Sequence, residues 1–326
     1  MSQATAVPAQ PKSGGNLERV LGERRFAVTA ELGPPRGCDA ALVRKKAQLL
    51  KGWVDAANVT DNQSAIVRMS SIATGLLMIA EGLEPIVQMT CRDRNRLAMQ
   101  SDMLGAAAHG VHNLLCLTGD HQSKGDHPGA KNVHDIDSIQ LVAMMRAMRD
   151  EGRYQNGKEI PGGGPRLLIG AAENPFADPA AVRPYRLKKK VLAGADFIQT
   201  QLIYDVPRFR EFMKRVVDLG LHRQTAILAG VGPVKSPGMV RHMRLLPGLA
   251  VPDWIDARLD AAAKGIEDKQ ARAAAWREEG KRICVETVQQ IREIEGVAGV
   301  HIMAIEWEEA VPDIVKRVGL RTGPER

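Results

Sequence analysis

Aromatic residues are scarce in this 326-residue chain, only 4% of it. Together with dispersed basic residues, that scarcity argues against a nucleic-acid-binding surface, despite a formal net charge of +7. Anionic small molecules carrying phosphates or carboxylates explain the excess more simply. The short runs Arg44-Lys45-Lys46 and Lys188-Lys189-Lys190 read as solvated helix faces. Cysteine is rare: Cys38, Cys91, Cys116 and Cys284 form no C-x-x-C pair, which excludes a zinc ribbon and leaves free thiols as the default. No two histidines share a strand end, so no metal site is assigned; His109, His112, His121, His127 and His134 fit no zinc spacing. No apolar run approaches the roughly 20 residues of a membrane span. The opening MSQATAVPAQPKSGG lacks the apolar centre of a signal peptide. Residues 1–17 read as a disordered tail and 18–326 as one folded domain, with the cytoplasm as the implied compartment.

Against these absences, eight strand-like runs recur, at 26–32, 55–61, 84–91, 113–120, 166–174, 196–204, 225–232 and 299–306. Segments with helical periodicity separate them, several ending in glycine, and residues 252–295 form a longer helical stretch before the last run. Eight strands alternating with helices predict an α/β fold, a closed (β/α)8 TIM barrel. An open doubly wound sheet is the rival, weakened because no G-x-G-x-x-G follows the first strand.

In a barrel the chemistry gathers at the C-terminal strand ends. That rule selects Glu31, Thr60-Asp61-Asn62, Gln88 and Thr90, Thr118-Gly119-Asp120, Glu173-Asn174, Gln199, Gln201, Tyr204 and Asp205, the segment AGVGPVKS, and Glu306-Trp307-Glu308. The rim is acidic and rich in amides, which pair with both donor and acceptor edges of a flat heterocycle. Glu31 stands in TAELGPPRG, residues 29–37. Alternation puts Val28, Ala30 and Leu32 on one face and Thr29 and Glu31 on the other, so Glu31 points into the barrel. A plain strand-end charge is the alternative. An acid buried there has its pKa raised and holds a proton near neutral pH.

TAELGPPRG, ANVTDN, VQMTCRDRNR, LLCLTGDH, KKKVLAGADFIQTQLIYD and LAGVGPV, in this order, resemble the methylenetetrahydrofolate reductase family over roughly residues 24–320. The resemblance implies a flavin-bearing (β/α)8 barrel that reduces 5,10-methylenetetrahydrofolate to 5-methyltetrahydrofolate, with hydride delivered by the reduced flavin. It puts the catalytic acid on Glu31 and a flavin-contacting threonine on Thr60. The R-G-D turn near flavin and pterin falls on Thr118-Gly119-Asp120, the flavin-phosphate lysine on Lys190 and the folate-binding glutamine on Gln201. Asp120 would then supply a fixed negative charge beside a cationic iminium, or tune the flavin. Plainer readings remain: Asp120 as a helix cap, Lys190 as a solvated lysine, Gln201 as a structural amide.

This chain departs from the family pattern at several positions. Gln88 replaces a flavin-binding histidine, Thr118 the arginine of R-G-D, Asn174 a histidine and Gly170 a tyrosine. Arg183 replaces an acidic flavin contact and Pro237 a stacking aromatic, and AIEWEE stands where the family has an arginine. These changes leave FAD or FMN open as the cofactor. They also leave open the electron donor, NADH or NADPH, ferredoxin or a redox partner subunit. The ending HIMAIEWEE resembles a branch that works with a zinc-binding partner protein. A homo-oligomer, a flavin-free barrel lyase or aldolase, and a partner-dependent barrel subunit inactive alone are the remaining alternatives.

Overall fold

A computed structural model describes residues 11–323. Eight parallel strands close into one barrel in sequence order, with the last paired to the first. They are β1 (Ala27–Leu32), β2 (Ala56–Val59), β3 (Pro85–Thr90), β4 (Asn113–Leu117), β5 (Leu168–Glu173), β6 (Phe197–Leu202), β7 (Ala226–Val231) and β8 (Val297–Ile302). The helices are α1 (Asn16–Gly22), α2 (Ala40–Leu50), α3 (Ser71–Ala80), α4 (Arg96–Ala108), α5 (Ser138–Arg146), α6 (Arg183–Ala193), α7 (Val206–Asp218), α8 (Pro237–Arg244), α9 (Trp254–Ala263), α10 (Lys269–Arg292) and α11 (Ala310–Val318). The closed barrel is the predicted (β/α)8 fold, and α9 and α10 are the additional helices before β8. Side-chain oxygens start most outer helices: Asp39 caps α2, Ser70 α3, Asn95 α4 and Asp205 α7. Asp137 and Gln140 cap α5 reciprocally.

Strands β1 to β7 lie within the runs read from the sequence, but β8 is displaced from 299–306 to Val297–Ile302. Gly299 explains its register: a Cβ there would stand 2.3 Å from the Ala27 carbonyl oxygen, so glycine lets β8 close onto β1. After Ile302 the chain leaves the sheet and turns. The Trp307 amide donates to the Ala304 carbonyl, and Glu306 takes a φ of 49°. Glu306, Trp307 and Glu308 are therefore loop residues above the strand.

Helix α1 begins inside the stretch read as a tail; residues 1–10 of that stretch lie outside the described residues. Leu17 and Val20, one helical turn apart, are fully buried and plug the N-terminal end of the barrel against Ala27, Ile86, Leu115 and Phe197. Glu84, just before β3, anchors the plug by accepting from the Asn16 and Leu17 amides at 2.5 and 3.0 Å.

Side-chain polarity rises along the barrel axis. The floor is apolar. Above it Asn58 and Gln199 exchange amide hydrogen bonds of 2.6 and 2.9 Å, and the Thr29 hydroxyl lies 3.0 Å from His301 Nδ1. Burial pushes the His301 pKa down to about 3, so the imidazole is neutral. The alternate strand positions face outward: Val28, Ala30 and Leu32 pack in the cluster that also holds Val43, Ala47 and Leu50 of α2. Each fully buried Leu or Val there contributes about 1.5–3 kcal/mol. Thr29 and Glu31 share the inward face, as alternation predicts.

Candidate active site

Glu31 is 8% exposed at the mouth of β1 and borders a cavity of about 250 Å³ shared with Pro34, Lys46, Arg68 and Glu308. Burial, reinforced by the Glu308 charge, raises its pKa to about 7, against the pull of Arg68, Gln63 and Lys46. The carboxyl is thus half-protonated near neutral pH, the condition for a general acid.

The surrounding groups come from three directions. Lys46 of α2 donates to Glu308 Oε1 at 2.5 Å and to the Gly33 carbonyl at 3.3 Å. Arg68, after β2, donates to the Pro34 carbonyl at 3.1 Å. The segment carrying Gln63 and Arg68 contains three non-glycine residues at positive φ, Asn62, Ser64 and Ala65. Such backbone costs about 1–3 kcal/mol per residue and clusters at functional sites. Of these neighbours only Glu308 was on the sequence-selected rim. Lys46 belongs to a run read as a solvated helix face, yet its side chain is 22% exposed and ion-paired.

Thr60, on the inward face just past β2, is 2% exposed and its hydroxyl has no hydrogen-bond partner among the described residues. Gln88 on β3 is 8% exposed, and its side-chain amide makes no hydrogen bond among the described residues. Gly119, after β4, has a φ of 90°, and a Cβ there would lie 3.0 Å from the Cβ atoms of Thr90 and Arg92. Only glycine lets this turn sit so close to β3. An unsatisfied buried hydroxyl, a free amide and a turn stripped of side chain, on adjacent strands, suit a flat polar ligand.

The remaining rim residues are partly committed elsewhere. Thr118 donates to the Ser138 hydroxyl at 3.1 Å. Asp120 is exposed and its backbone carbonyl accepts from Arg92 at 3.1 Å; its carboxylate makes no hydrogen bond among the described residues. His121, not Asp120, caps the short turn of helix that follows. Asn174 is spent on loop structure, donating to Pro247 and accepting from the Phe176 amide. The Gln201 side-chain Oε1 accepts from the Leu202 amide, and its NH2 group makes no hydrogen bond among the described residues. Lys190 is neither solvated nor free. It is 5% exposed and donates to Glu173 at 2.6 Å and to the Ala172 carbonyl at 2.5 Å, between β5 and α6. Asp61, also selected on the rim, is structural: Arg94 donates to it at 2.7 Å, as do the Thr90 amide and hydroxyl at 2.9 and 3.0 Å.

The departures at Gly170 and Arg183 have local causes. A Cβ on Gly170 would lie 2.2 Å from the Phe197 ring, so that ring occupies the space a larger residue would need. Arg183 opens α6 and donates to the Ala177 and Asp178 carbonyls. A cavity of about 780 Å³ opens at the opposite, N-terminal face beside Phe26, His222 and Arg223 and contains none of the rim residues.

The sequence profile described as Methylenetetrahydrofolate reductase matches residues 16–319. A Caenorhabditis elegans protein named probable methylenetetrahydrofolate reductase (NADPH) is 24% identical over 319 residues, covering 93% of this chain and 44% of that protein. The chain thus spans less than half the length of that relative. The Escherichia coli 5,10-methylenetetrahydrofolate reductase is 23% identical over 246 residues, covering 74% of this chain and 72% of that protein. Among solved structures, an uncharacterized Clostridium thermocellum protein that binds two copies of 5-methyl-5,6,7,8-tetrahydrofolic acid shares the fold. Its TM-score is 0.59 at 14% identity, over 93% of this chain and 98% of that one. With the profile spanning nearly the whole barrel, this chain belongs to the methylenetetrahydrofolate reductase family.

Proposed function

We propose that this chain catalyses the flavin-dependent reduction of 5,10-methylenetetrahydrofolate to 5-methyltetrahydrofolate, or the reverse oxidation. Membership of the family and the names of the relatives support the reaction class. The observation that carries the mechanism is Glu31, a buried acid with its pKa near 7 at the barrel mouth.

Thr60, Gln88 and Gly119 are the residues suited to hold the flavin ring, with Thr118 and Asp120 at its edge. Asn174 would reach it only by giving up loop contacts, and Lys190 would meet a phosphate while still paired with Glu173. When bound, flavin supplies the hydride. Glu31 delivers its proton to the departing aryl nitrogen of the folate's five-membered ring. The carbon–nitrogen bond breaks, that nitrogen takes the proton, and the remaining one-carbon iminium becomes the hydride acceptor. Arg68 and Lys46 offset the carboxylate left on Glu31, and the free Asp120 carboxylate favours the cationic iminium. Gln201 offers its unpaired NH2 group to the folate.

An aldolase working through a Schiff base is disfavoured, because none of the eight strands carries a lysine and Lys190 is ion-paired outside the lumen. For the donor, the reading favours a redox partner over NADH or NADPH. Pro237 is the first residue of α8, Trp307 packs on the core and Tyr204 is 3% exposed, which leaves none of these positions a free ring for a nicotinamide. The experiment is anaerobic: the chain is reconstituted with FAD or FMN, the flavin is reduced chemically, and oxidation by methylenetetrahydrofolate is followed. Failure of folate to oxidise either flavin would refute the function. Flavin reduction by NADH alone at about tens per second, in the normal range of turnover, would refute the partner as donor.

A further inference from the structure

We propose that Lys46 and Glu308 form a charge-compensating pair that positions Glu31 and sets the pH at which it gives up its proton. The inference rests on the reading of Glu31 as the acid, and it concerns two residues that meet across the barrel mouth from α2 and the loop after β8.

The geometry is specific. Lys46 Nζ bridges Glu308 and the Gly33 carbonyl, two residues beyond Glu31, while Arg68 holds the next carbonyl, that of Pro34. The chain leaving Glu31 is thus gripped by two cations in succession. Glu308 is 4% exposed against 8% for Glu31, so it is buried at least as completely, and it lines the same cavity. Two carboxyls sharing one cavity cannot both ionise without a cation between them. The other charges lining this cavity are Arg68 and the exposed Glu306 that Arg68 approaches at 3.9 Å; Lys235, outside the lining, donates to the Glu306 carbonyl and faces Glu308. His301 beneath is neutral. Arg68 and Lys46 each hold a backbone carbonyl, but of the two it is Lys46 that is ion-paired with the second buried carboxyl, so Lys46 and Glu308 are the pair whose balance can be altered one charge at a time. A buried ion pair is weak evidence for stability, and replacing one by apolar residues is often neutral; beside an acid, its field does chemical work.

The two partners push Glu31 in opposite directions, which a purely structural pair would not do. Removing the cation in Lys46→Met leaves Glu308 facing Glu31, so the proton is held to higher pH. Removing the anion in Glu308→Gln leaves Lys46, so the proton is lost at lower pH. Each shift should be about one pH unit or more. Lys46→Arg should stay near wild type, and the double variant should return toward it.

The test reads Glu31 twice. One readout is the pH profile of single-turnover folate reduction. The other is direct carbon-13 NMR titration of labelled glutamate carboxyls, with the Glu31 signal identified by its loss in Glu31→Gln. Opposite shifts in the two single variants support the proposal. Shifts of the same sign, or an unmoved titration accompanied only by a lower Tm, overturn it. If Glu31→Gln retains full turnover, the acid reading falls, while the NMR titration still decides whether the pair controls Glu31.

Discussion

Lys190 Nζ lies 2.6 Å from a carboxylate oxygen of Glu173, and the two side chains are 6% and 1% exposed. Burial pulls the lysine pKa down, and the Glu173 charge opposes that pull. The pair ties α6 to the end of β5 in the layer between barrel and helices, so the lysine is engaged before any phosphate arrives.

Lys190→Ala is accordingly expected to destabilise the fold by about 3–5 kcal/mol, because it leaves a buried carboxylate unpaired. Replacing both partners, Lys190→Met with Glu173→Leu, should restore most of that loss. Urea unfolding of the two variants measures it. Equal stability of wild type and Lys190→Ala would contradict the pairing. In the stable double variant, flavin Kd should rise about tenfold to a hundredfold if the lysine also meets the phosphate. An unchanged Kd would assign Lys190 to Glu173 alone.

Much of the barrel was legible in the sequence, because alternation and helical periodicity report burial directly. Glu31 was legible too: Val28, Ala30 and Leu32 define the outward face, so the acid must turn inward. The two basic runs misled because a run of like charge says nothing about the angle each residue takes around a helix. Lys46 lies three residues after buried Val43 and four before buried Leu50; Lys190 lies three after buried Leu187. At 3.6 residues per turn, the third residue of each run faces inward while its neighbours face water. Gln63 and Arg68 were not legible, because a loop bent through three positive-φ residues brings them to Glu31. The shift of β8 came from Gly299, whose tight packing on β1 is a tertiary fact.

Gly170→Ala tests the packing inside the barrel. The added methyl meets the Phe197 ring, which lines the fully buried floor. Overpacking of this kind costs about 1–3 kcal/mol. Phe197→Leu in the same chain should relieve part of it. A Gly170→Ala protein with unchanged Tm would show that the ring yields freely.

The raised pKa of Glu31 makes stability depend on pH. Between the ordinary value of 4.5 and about 7, the folded state holds a proton that the unfolded state has released. The contribution is therefore full below pH 4.5 and lost as pH rises through 7. The shift corresponds to about 3 kcal/mol, at about 1.4 per pKa unit. Glu31→Gln removes this penalty, so the variant should exceed wild type in stability at pH 8 and match it more closely at pH 5. Thermal unfolding across that range is the check, and parallel pH curves for the two proteins would contradict a raised pKa.

In the proposed function, Glu31 gives the proton that opens the folate ring. The most direct measurement is anaerobic stopped-flow in which chemically reduced, flavin-loaded protein is mixed with methylenetetrahydrofolate and flavin reoxidation is followed, for wild type and Glu31→Gln. The variant should bind flavin as wild type does but reoxidise it about a hundredfold or more slowly, the scale of a missing general acid. Reoxidation at the wild-type rate would contradict it.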